Sequence, residues 1–445
     1  MVGGGQLARM THQAAIAWGQ SLAVLAESAD DAAAQVCAQV RLGAPDDPAA
    51  LRAFAAGCDV VTFDHEHVPG DLLRELVADG VTVYPGPDAL AHAQDKALMR
   101  TRLAEAGLPV PAFRMVTGAA VAEAVPEFAA SHGWPVVVKT ARGGYDGHGV
   151  WILAEGAEPP AFPPDTTLVV EAFAPLHREL AAVVARSPFG QAAAWPVVQT
   201  VQRDGICVEV IAPAPDLPAE RAEAAQDVAL RIADRLGVVG VLAVELFEVP
   251  VGPAAPDGLM INELAMRPHN SGHWSIDGSV TSQFEQHLRA VLDYPLGRTD
   301  TLAPVTVMAN VLGGPADGGA AGMGPGAGMG MGMDERVHHL AARFPEIKVH
   351  LYGKAFRPGR KLGHVTVLGD DLPALRRRAG LAAQWLGSGT WADGYDIHGG
   401  DEPGGDLHGG DGLAGGGPGA VRQAVLRADG LTGRHAAGAA GGERR

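Results

Sequence analysis

The chain has 445 residues, of which 34 are basic and 51 acidic, so its formal net charge is −17. A balance this acidic argues against a general binder of nucleic acid or of anionic membranes, although it leaves room for local phosphate sites. The length predicts two or three domains, and a hydrophobic content of 47% allows a large core.

The cysteines and the apolar runs predict a cytoplasmic protein. Cys37, Cys58 and Cys207 are far apart and form no Cys-x-x-Cys pair, so neither a disulfide framework nor a zinc site is indicated. No apolar run is long enough to cross a bilayer, and the N-terminus lacks the basic and apolar pattern of a signal peptide. We therefore expect a chain in a reducing compartment with neither nucleic acid nor membrane as partner.

Residues 1–88 alternate strand-like and helical segments, which predicts an α/β domain with a parallel sheet. A glycine-rich turn leads into a helix that runs through Ile16. Predicted strands follow at Leu22–Ala26, Val60–Phe63 and Val81–Tyr84. Such a turn normally follows a first strand, yet only Met1 and Val2 precede it. Either that first strand is missing or the start of the chain has been assigned too late. The second alternative is favoured, because the alternating strand and helix pattern needs a strand at the centre of the sheet.

Residues 135–151 predict a strand, a glycine-rich hairpin loop and a second strand. The apolar run Val136–Val138 ends in Lys139, and glycines follow at 143, 144, 147 and 149. Backbone N–H groups of such a loop close over an anion, and the lysine adds a point charge. The order differs from a Walker A loop and from a Rossmann fingerprint, since a strand follows where a helix would begin. The alternative is a glycine-rich hairpin that binds nothing.

The remaining elements follow from apolar periodicity and helix stops. Residues 88–112 are predicted to form a helical connector with Asp95 and Lys96 near its start. Predicted strands are Leu168–Ala172, Glu179–Ala185, Ala194–Thr200, Cys207–Ala212, Gly240–Val249, Leu259–Leu264 and 303–312. Predicted helices are 218–236 and Ser282–Leu292.

Two low-complexity segments interrupt the C-terminal part. Residues 313–333 form a Gly/Met/Ala-rich insertion that is flexible by composition. From about Gly387 the chain is rich in Gly, Asp and His, which predicts a disordered tail. The domain organisation that follows is 1–88, 89–300, 301–385 and a tail at 386–445.

Two carboxylates in the predicted strands Gly240–Val249 and Leu259–Leu264 suggest a metal site. Glu245 and Glu263 each lie among apolar residues of neighbouring strands, and burying a carboxylate there costs several kcal/mol unless it is paired or binds a metal. Hard oxygen ligands on two strands suit Mg²⁺ that bridges nucleotide phosphates. The alternative is that both side chains face solvent. Glu171 and Glu179 flank a loop whose strand edge offers hydrogen bonds to an adenine, and a nearby carboxylate can hold ribose hydroxyls.

The polar loop Thr62–Pro69 follows a strand, where open α/β sheets bind ligands. Glu66 is the candidate for contact with a substrate. The alternatives are a solvated loop with a helix cap, or chance attraction of a metal by the Asp-His-Glu-His run.

The order of these residues resembles the ATP-grasp superfamily and, within it, the N5-carboxyaminoimidazole ribonucleotide synthase family. The resemblance covers residues 1–385 and rests on four runs of sequence. These are residues 3–10, the glycine hairpin 142–149, residues 261–274 (Ile-Asn-Glu-Leu-Ala-Met-Arg-Pro-His-Asn-Ser-Gly-His-Trp) and residues 357–364 (Arg-Pro-Gly-Arg-Lys-Leu-Gly-His). The fold implied is α/β of the α+β ATP-grasp type, with a parallel pre-ATP-grasp domain, a central ATP-grasp domain and a small C-terminal domain.

The resemblance also implies a reaction. MgATP phosphorylates bicarbonate to carboxyphosphate, and the carboxyl group is transferred to the exocyclic amine of aminoimidazole ribonucleotide in purine biosynthesis. The hairpin would close over the site and exclude water, and Mn²⁺ is an alternative ion. Relatives of this kind are homodimers.

Site residues follow from the same resemblance. Arg267, Lys139, His269 and Asn270 are the expected catalytic residues. Glu245 and Glu263 are the expected metal ligands. The nucleotide would contact Lys96, Lys139, Gly143, Gly144, Tyr145, Asp146, Gly147, Gly149, Glu171, Ala172, Phe173, Glu179, Asn262 and Glu263. The ribonucleotide substrate would contact Gln6, Glu66, Tyr145, Lys354, Arg357, Arg360 and Lys361.

Some positions depart from the expected pattern, and three interpretations compete. Lys96 and His148 stand where arginine or another base is expected, and Gln199 and Gln202 where Asn or His is expected. The rivals to this ligase are another ATP-grasp enzyme, such as a biotin carboxylase or a formate-using purine enzyme, and a nucleotide-binding pseudoenzyme. Arg267 could instead form a structural ion pair with a metal-binding glutamate, and the basic loop could be merely solvated.

Overall fold

The computed structural model describes residues 1–144, 148–314 and 331–395. The helices are α1 (Gln6–Ala17), α2 (Pro48–Ala55), α3 (Gly70–Ala78), α4 (Pro87–Gln94), α5 (Lys96–Glu105), α6 (Val121–His132), α7 (Ala219–Arg235), α8 (Ser275–Gly278), α9 (Gln283–Val291), α10 (Met333–Arg343) and α11 (Leu372–Ser388). A 3-10 turn spans Asn270–Gly272. Within these ranges no helix combines the length and apolar character needed to cross a membrane.

The strands are β1 (Ala23–Ala26), β2 (Gln39–Leu42), β3 (Phe113–Thr117), β4 (Val136–Thr140), β5 (Val150–Leu153), β6 (Thr167–Ala172), β7 (Arg178–Arg186), β8 (Ala192–Ala194), β9 (Val198–Arg203), β10 (Ile206–Ala212), β11 (Gly240–Glu248), β12 (Leu259–Ala265), β13 (Val305–Leu312), β14 (Lys348–Leu351) and β15 (Lys361–Gly369). They form three sheets.

The N-terminal sheet is parallel, as predicted. β1 pairs with β2, and Val2 bridges both Leu25 and Phe63 in parallel. Val2 therefore occupies the central position that the sequence pattern requires of a first strand. Its side chain is fully buried, in one core with Leu25 and Phe63.

The second sheet carries the glycine-rich hairpin. Its four strands run in the order β3-β6-β4-β5, and every pair is antiparallel. α6 covers one face, where Val125 and Phe128 pack with Val138 and Val170. Because this face is buried, the strands are held in a single register, and Lys139 at the end of β4 has a defined position.

The third sheet joins the central and C-terminal parts of the chain. Its order is β12-β11-β7-β9-β10-β13-β15-β14, with β8 added to β7. β13 pairs antiparallel with β10, so the C-terminal strands continue the sheet begun by the central domain. β13 and β15 thereby belong to the same sheet as the carboxylate-bearing strands β11 and β12, with β7, β9 and β10 between them.

Four predicted elements of the N-terminal and central parts need correction. The connector 88–112 is two helices, since the Asp95 side chain accepts hydrogen bonds from the N–H groups of Ala97 and Leu98 and starts α5 afresh. The predicted strand Ala194–Thr200 is interrupted at Pro196, which has no N–H for the ladder. The runs at 60–63 and 81–84 form only isolated bridges.

The predicted bounds of the C-terminal tail and of the insertion 313–333 also need correction. Order extends past Gly387 to residue 395, because Trp391 is buried and stacks on Trp385 with ring centroids 4.7 Å apart. Of the predicted insertion 313–333, Gly313 is tied to Arg360 by a backbone hydrogen bond and Met333 begins α10. The rest of the predicted tail and residues 315–330 lie outside the described residues.

Candidate active site

The predicted site residues converge on one cleft between the N-terminal domain, the two antiparallel sheets and the loop before β15. Its volume is about 1390 Å³. Single-ligand pockets usually have roughly 300–1,000 Å³, so there is room here for two nucleotide-sized ligands. The predicted residues that line the cleft are Gln6, Glu66, Lys96, Lys139, Gly143, Gly144, Glu171, Ala172, Phe173, Glu179, Glu245, Asn262, Glu263, Arg267, His269, Asn270, Lys354, Arg357, Arg360 and Lys361.

Lys139 is held by a buried carboxylate. Its Nζ lies 2.8 Å from Oε2 of Glu171 and 3.2 Å from Oδ1 of Asn262. The other oxygen of Glu171 accepts from Nε of Arg100 at 2.6 Å, and the Arg100 side chain is fully buried. Burial by itself would raise the pKa of Glu171, but the Lys139 and Arg100 charges lower it to about 2. Both oxygens of Glu171 are thus engaged by cations, which favours a counter-ion role over contact with a ribose.

A β-bulge places consecutive residues of β12 in the cleft. Glu245 of β11 is opposite Glu263 of β12, and the register then shifts at Asn262. Consecutive strand residues normally face opposite sides, and a bulge re-aims one of them. Asn262 reaches Lys139 with its oxygen, while its Nδ2 is 3.5 Å from Oε2 of Glu245. Lys96 Nζ lies 2.6 Å from Oε1 of Glu263.

The Glu245–Glu263 pair fits a divalent cation. Burial, with the nearby Glu263 and Glu179 charges, raises the pKa of Glu245 to about 8. A cation between the two carboxylates would offset this repulsion, and carboxylate oxygens are the ligands that Mg²⁺ takes. Among the described side chains no group of three or more His, Cys, Asp or Glu is arranged to hold a metal ion. This pattern suits Mg²⁺ shared between one or two carboxylates and nucleotide phosphates.

The loop after Val61 performs two separate tasks. Asp64 caps α1 from a distance, since its carboxylate accepts from the N–H groups of Gly5 and Ala8 at 2.6 and 2.8 Å. A side chain at position 5 would collide with that carboxylate, which explains the glycine.

Glu66 accepts from the Met266 N–H at 2.9 Å and from Nε of Arg267 at 3.1 Å. Arg267 therefore pairs with Glu66 and not with Glu245 or Glu263, and Glu66 anchors Arg267 and the neighbouring backbone. Contact between Glu66 and a substrate stays a prediction.

His269 opens the 3-10 turn and is neutral. Its Nδ1 accepts from the Ser271 N–H, so Nε2 carries the proton and lies 3.5 Å from Oε1 of Glu245. Burial, assisted by the Arg267 charge, lowers the pKa of His269 to about 3. The Gln283 amide holds the His269 backbone on both sides, with N–H to Oε1 at 2.8 Å and Nε2 to the carbonyl at 2.7 Å.

The amide of Asn270 is engaged by another side chain of the protein. Asn270 and Asn310 of β13 exchange two hydrogen bonds, of 3.0 and 2.7 Å. Both residues are buried. This contact gives the predicted catalytic Asn270 a structural partner on the C-terminal part of the sheet.

The basic loop before β15 forms the wall of the cleft near α1. Lys354 donates a hydrogen bond to Oε1 of Gln6, which joins the two predicted substrate residues. The loop is closed by its own backbone, because Arg360 N–H bonds to the Arg357 carbonyl and Gly359 adopts φ 71°. The cationic groups of this loop are therefore held at one end of the cleft.

The glycine hairpin is described on both sides of residues 145–147. Gly143 has φ 78° and Gly149 has φ 77°, values that favour glycine. Gly143 and Gly144 line the cleft, whereas Gly149 packs against Thr140. The predicted Tyr145, Asp146 and Gly147 lie outside the described residues.

Sequence inspection alone did not identify several residues that shape the site. Arg100, Gln283 and Asn310 contact predicted residues that are distant in the chain. Arg100 has one local signal, since it lies three residues from both Ala97 and Leu103 on the buried face of α5, and an arginine on such a face needs a counter-ion. The two amides have no such signal.

Three family models match successive parts of the chain. The ribonucleotide synthetase preATP-grasp domain matches residues 1–94, the ATP-grasp domain 101–284 and the phosphoribosylaminoimidazole carboxylase C-terminal domain 306–378. These matches confirm the predicted fold class.

Relatives extend this similarity over most of the chain. N5-carboxyaminoimidazole ribonucleotide synthase of Mycobacterium tuberculosis is 60% identical over 403 residues, which cover 89% of this chain and 90% of that protein. The synthase of Corynebacterium ammoniagenes is 47% identical over 89% of this chain and 93% of its own length. A crystal structure of the Thermus thermophilus synthetase covers 86% of this chain and 98% of its own, with a TM-score of 0.72 and 34% identity.

One further structure contains ligands. The Aspergillus clavatus synthase, in complex with ADP and aminoimidazole ribonucleotide, has a TM-score of 0.72 and 28% identity, and covers 86% of this chain and 98% of its own. The chain therefore belongs to the N5-carboxyaminoimidazole ribonucleotide synthase family of ATP-dependent ligases.

Proposed function

We propose that the cleft described above is where this chain carries out its reaction, the ATP-dependent carboxylation of 5-aminoimidazole ribonucleotide in purine biosynthesis. The observation that carries the assignment is the convergence of three groups on one cleft. Lys96 and Lys139 supply cations, Glu245 and Glu263 supply carboxylates, and the loop 354–361 supplies a second basic cluster. Two separated basic groups with a carboxylate pair between them suit a nucleotide, a metal and a second phosphorylated substrate.

The ATP end lies between the two antiparallel sheets. Lys139 and Lys96 are each fixed by a carboxylate, so their charges are in place before the phosphates arrive. Phosphoryl transfer depends on such positioning and electrostatic stabilisation more than on covalent chemistry. Gly143 and Gly144 would offer backbone to the same phosphates. The adenine is assigned to the backbone at Phe173, just after the end of β6, because β6 itself is paired on both sides and the Ala172 N–H donates to the Ala112 carbonyl.

Glu245 and Glu263 would hold Mg²⁺, or Mn²⁺ in its place. When bound, the ion supplies charge neutralisation of the phosphate oxygens. Lys96 shares Glu263 with the metal site, which links the lysine and the ion to the same carboxylate.

The bicarbonate end is assigned to Arg267 and His269. Glu66 accepts from Nε of Arg267 and the Pro268 carbonyl accepts from Nη1, which together orient the planar guanidinium. The remaining N–H groups, above all those of Nη2, are assigned to a planar oxyanion. Neutral His269 keeps its Nε2 proton directed at Glu245. Bicarbonate attacks the γ-phosphorus of ATP, ADP leaves, and the exocyclic amine of the ribonucleotide then displaces phosphate from carboxyphosphate or captures the CO₂ released.

The ribonucleotide 5′-phosphate is assigned to Lys354, Arg357, Arg360 and Lys361, with Gln6. Lys354 is already oriented by Gln6 across the cleft. The contact between Lys354 and Gln6 supports the proposal that the N-terminal domain and the C-terminal loop bind the same substrate.

A homodimer and a cytoplasmic location stay predictions. Size-exclusion chromatography with light scattering at several concentrations tests the first. A mass that equals one chain throughout would contradict it.

The test of the activity is ADP release from ATP and bicarbonate, with and without aminoimidazole ribonucleotide. We expect strong stimulation by the ribonucleotide and a carboxylated product that decays in acid. ATP binding without any stimulation would contradict the assigned reaction.

A further inference from the structure

The turn that carries His269 and Asn270 is fixed from two directions. Gln283 of α9 binds the backbone on both sides of His269. Asn310 of β13 binds the side chain of Asn270. Gln283 belongs to the central part of the chain, whereas Asn310 lies on the first strand of the C-terminal part. The turn is thus held by one residue of the central part, Gln283, and by one residue of the C-terminal part, Asn310.

The orientation of the Asn310 amide is determined by its hydrogen bonds. Nδ2 of Asn310 donates to the Cys207 carbonyl at 2.9 Å and to Oδ1 of Asn270 at 2.7 Å. Reversing the amide would place its oxygen against the Cys207 carbonyl, so that two acceptors would face each other. The donor side of Asn310 is therefore fixed, and both of its N–H groups are used.

This orientation in turn dictates the orientation of Asn270. Oδ1 of Asn270 has to face the donor of Asn310, and Nδ2 of Asn270 has to face its acceptor, at 3.0 Å. An amide nitrogen carries two protons, and the pair uses one of them. The second N–H remains available for an oxygen atom in the cleft that Asn270 lines.

We infer that Asn310 is a positioning residue for the carboxylation step, acting through Asn270 on the turn beside Arg267. This inference rests on the proposed function of the cleft. The group that Asn270 would meet is an oxygen of bicarbonate or carboxyphosphate, since Arg267 and His269 define that part of the site. A misoriented Asn270 would loosen the hold on the intermediate without affecting Lys139 or the ATP phosphates.

Asn310→Asp is the most direct test, because it changes the donor nitrogen to an acceptor with almost no change in volume. The carboxylate cannot donate to Cys207 or to Asn270, so the Asn270 amide loses its fixed orientation. Thr306→Val is a matched control on the same strand and on the same face of the sheet. Its hydroxyl is buried and has no hydrogen-bond partner in the described structure, so the substitution removes no hydrogen bond.

The measurements are ADP released, carboxylated product formed and the KM for ATP. For Asn310→Asp we expect product formation to fall about 10-fold or more, the cost of losing oriented hydrogen bonds near the reacting groups. We expect ADP released per product to rise and the KM for ATP to stay within about two-fold. Thr306→Val should match the wild-type protein in all three.

Two results for Asn310→Asp would contradict the inference. Wild-type product formation and coupling in Asn310→Asp would overturn the inference. So would equal losses in ATP affinity and turnover, because these would indicate a merely structural role. If Asn310→Asp does not fold, Asn310→Ser keeps a small donor at this position and is judged by the same ratio of ADP to product. A wild-type protein that the ribonucleotide does not stimulate would contradict the proposed function instead.

Discussion

The carboxylate of Glu171 lies 2.8 Å from the ammonium nitrogen of Lys139, and both side chains are largely buried, with 3% of Glu171 and 10% of Lys139 exposed. The same carboxylate neutralises Arg100 on its other side. One acidic residue therefore compensates two buried cations and fixes the position of the Lys139 charge in the cleft. Burial lowers the pKa of Lys139, and the Glu171 charge opposes that effect.

Replacing Glu171 by Gln should destabilise the protein. Removing one partner of a buried ion pair costs about 3–5 kcal/mol, because the remaining charges stay buried without compensation. The free energy of unfolding from urea titration measures this, and the KM for ATP should rise as well. Glu127→Gln is the control, since Glu127 pairs with Arg114 on the surface and should change stability by less than about 1 kcal/mol. An equal effect of the two substitutions would contradict the counter-ion role.

Glu263→Gln should abolish most turnover while the fold is kept. The substitution removes a charged ligand from the proposed metal site and the partner of Lys96. We expect a loss of more than about 100-fold in ribonucleotide-dependent ADP release, and a higher Mg²⁺ concentration for half-maximal rate. Glu209→Gln serves as control, because Glu209 pairs with Arg376 outside the cleft. Activity close to that of the wild-type protein would remove Glu263 from the metal role.

Glu66→Gln should lower turnover with little change in ATP affinity. The neutral amide can still accept from the Met266 N–H, but it no longer orients the Arg267 guanidinium by charge. We expect kcat to fall about 10-fold or more while the KM for ATP stays within about two-fold. Glu75→Gln, which breaks an exposed pair with Arg52, should leave both constants unchanged. A rise in the KM for ATP without loss of kcat would place Glu66 elsewhere in the reaction.

The protein should lose stability as the pH falls from about 6.5 to 3, and His287 should contribute to this loss. Its ring bridges two parts of the chain: Nδ1 accepts from the Val241 N–H at 3.1 Å, so Nε2 donates to Oγ1 of Thr62 at 2.8 Å. Burial lowers the pKa of His287 to about 3. In this window the unfolded chain binds a proton that the native state does not, so stability decreases by up to about 1.4 kcal/mol per pH unit.

The measurement is the free energy of unfolding at pH 6.5, 5.5 and 4.5. His287→Gln keeps an acceptor and a donor but has no titratable ring, so its stability should depend less steeply on pH. His177→Gln, at an exposed position, should follow the wild-type curve. Parallel curves for wild type and His287→Gln would show that His287 carries none of the acid sensitivity.

The amino-acid sequence by itself determined the family, the fold class and most of the cleft. Lys139 at the end of an apolar run, the glycine hairpin, and Glu245 and Glu263 on apolar strands are local patterns, and local patterns report the residue types that a strand or turn requires. The buried position of Val2 between Leu25 and Phe63 likewise agrees with the strand that the alternation required at the centre of the sheet.

Only the tertiary structure decided which charges and amides pair. Glu66 meets Arg267 across 201 positions of the chain, and Asn270 meets Asn310 across 40. Such pairs depend on the order and register of the strands, and the bulge at Asn262 that turns two consecutive side chains into the cleft has no local signature. The physical reason is that a buried polar group has to be satisfied by whatever partner packing brings within 3 Å or so, and packing is a property of the whole chain.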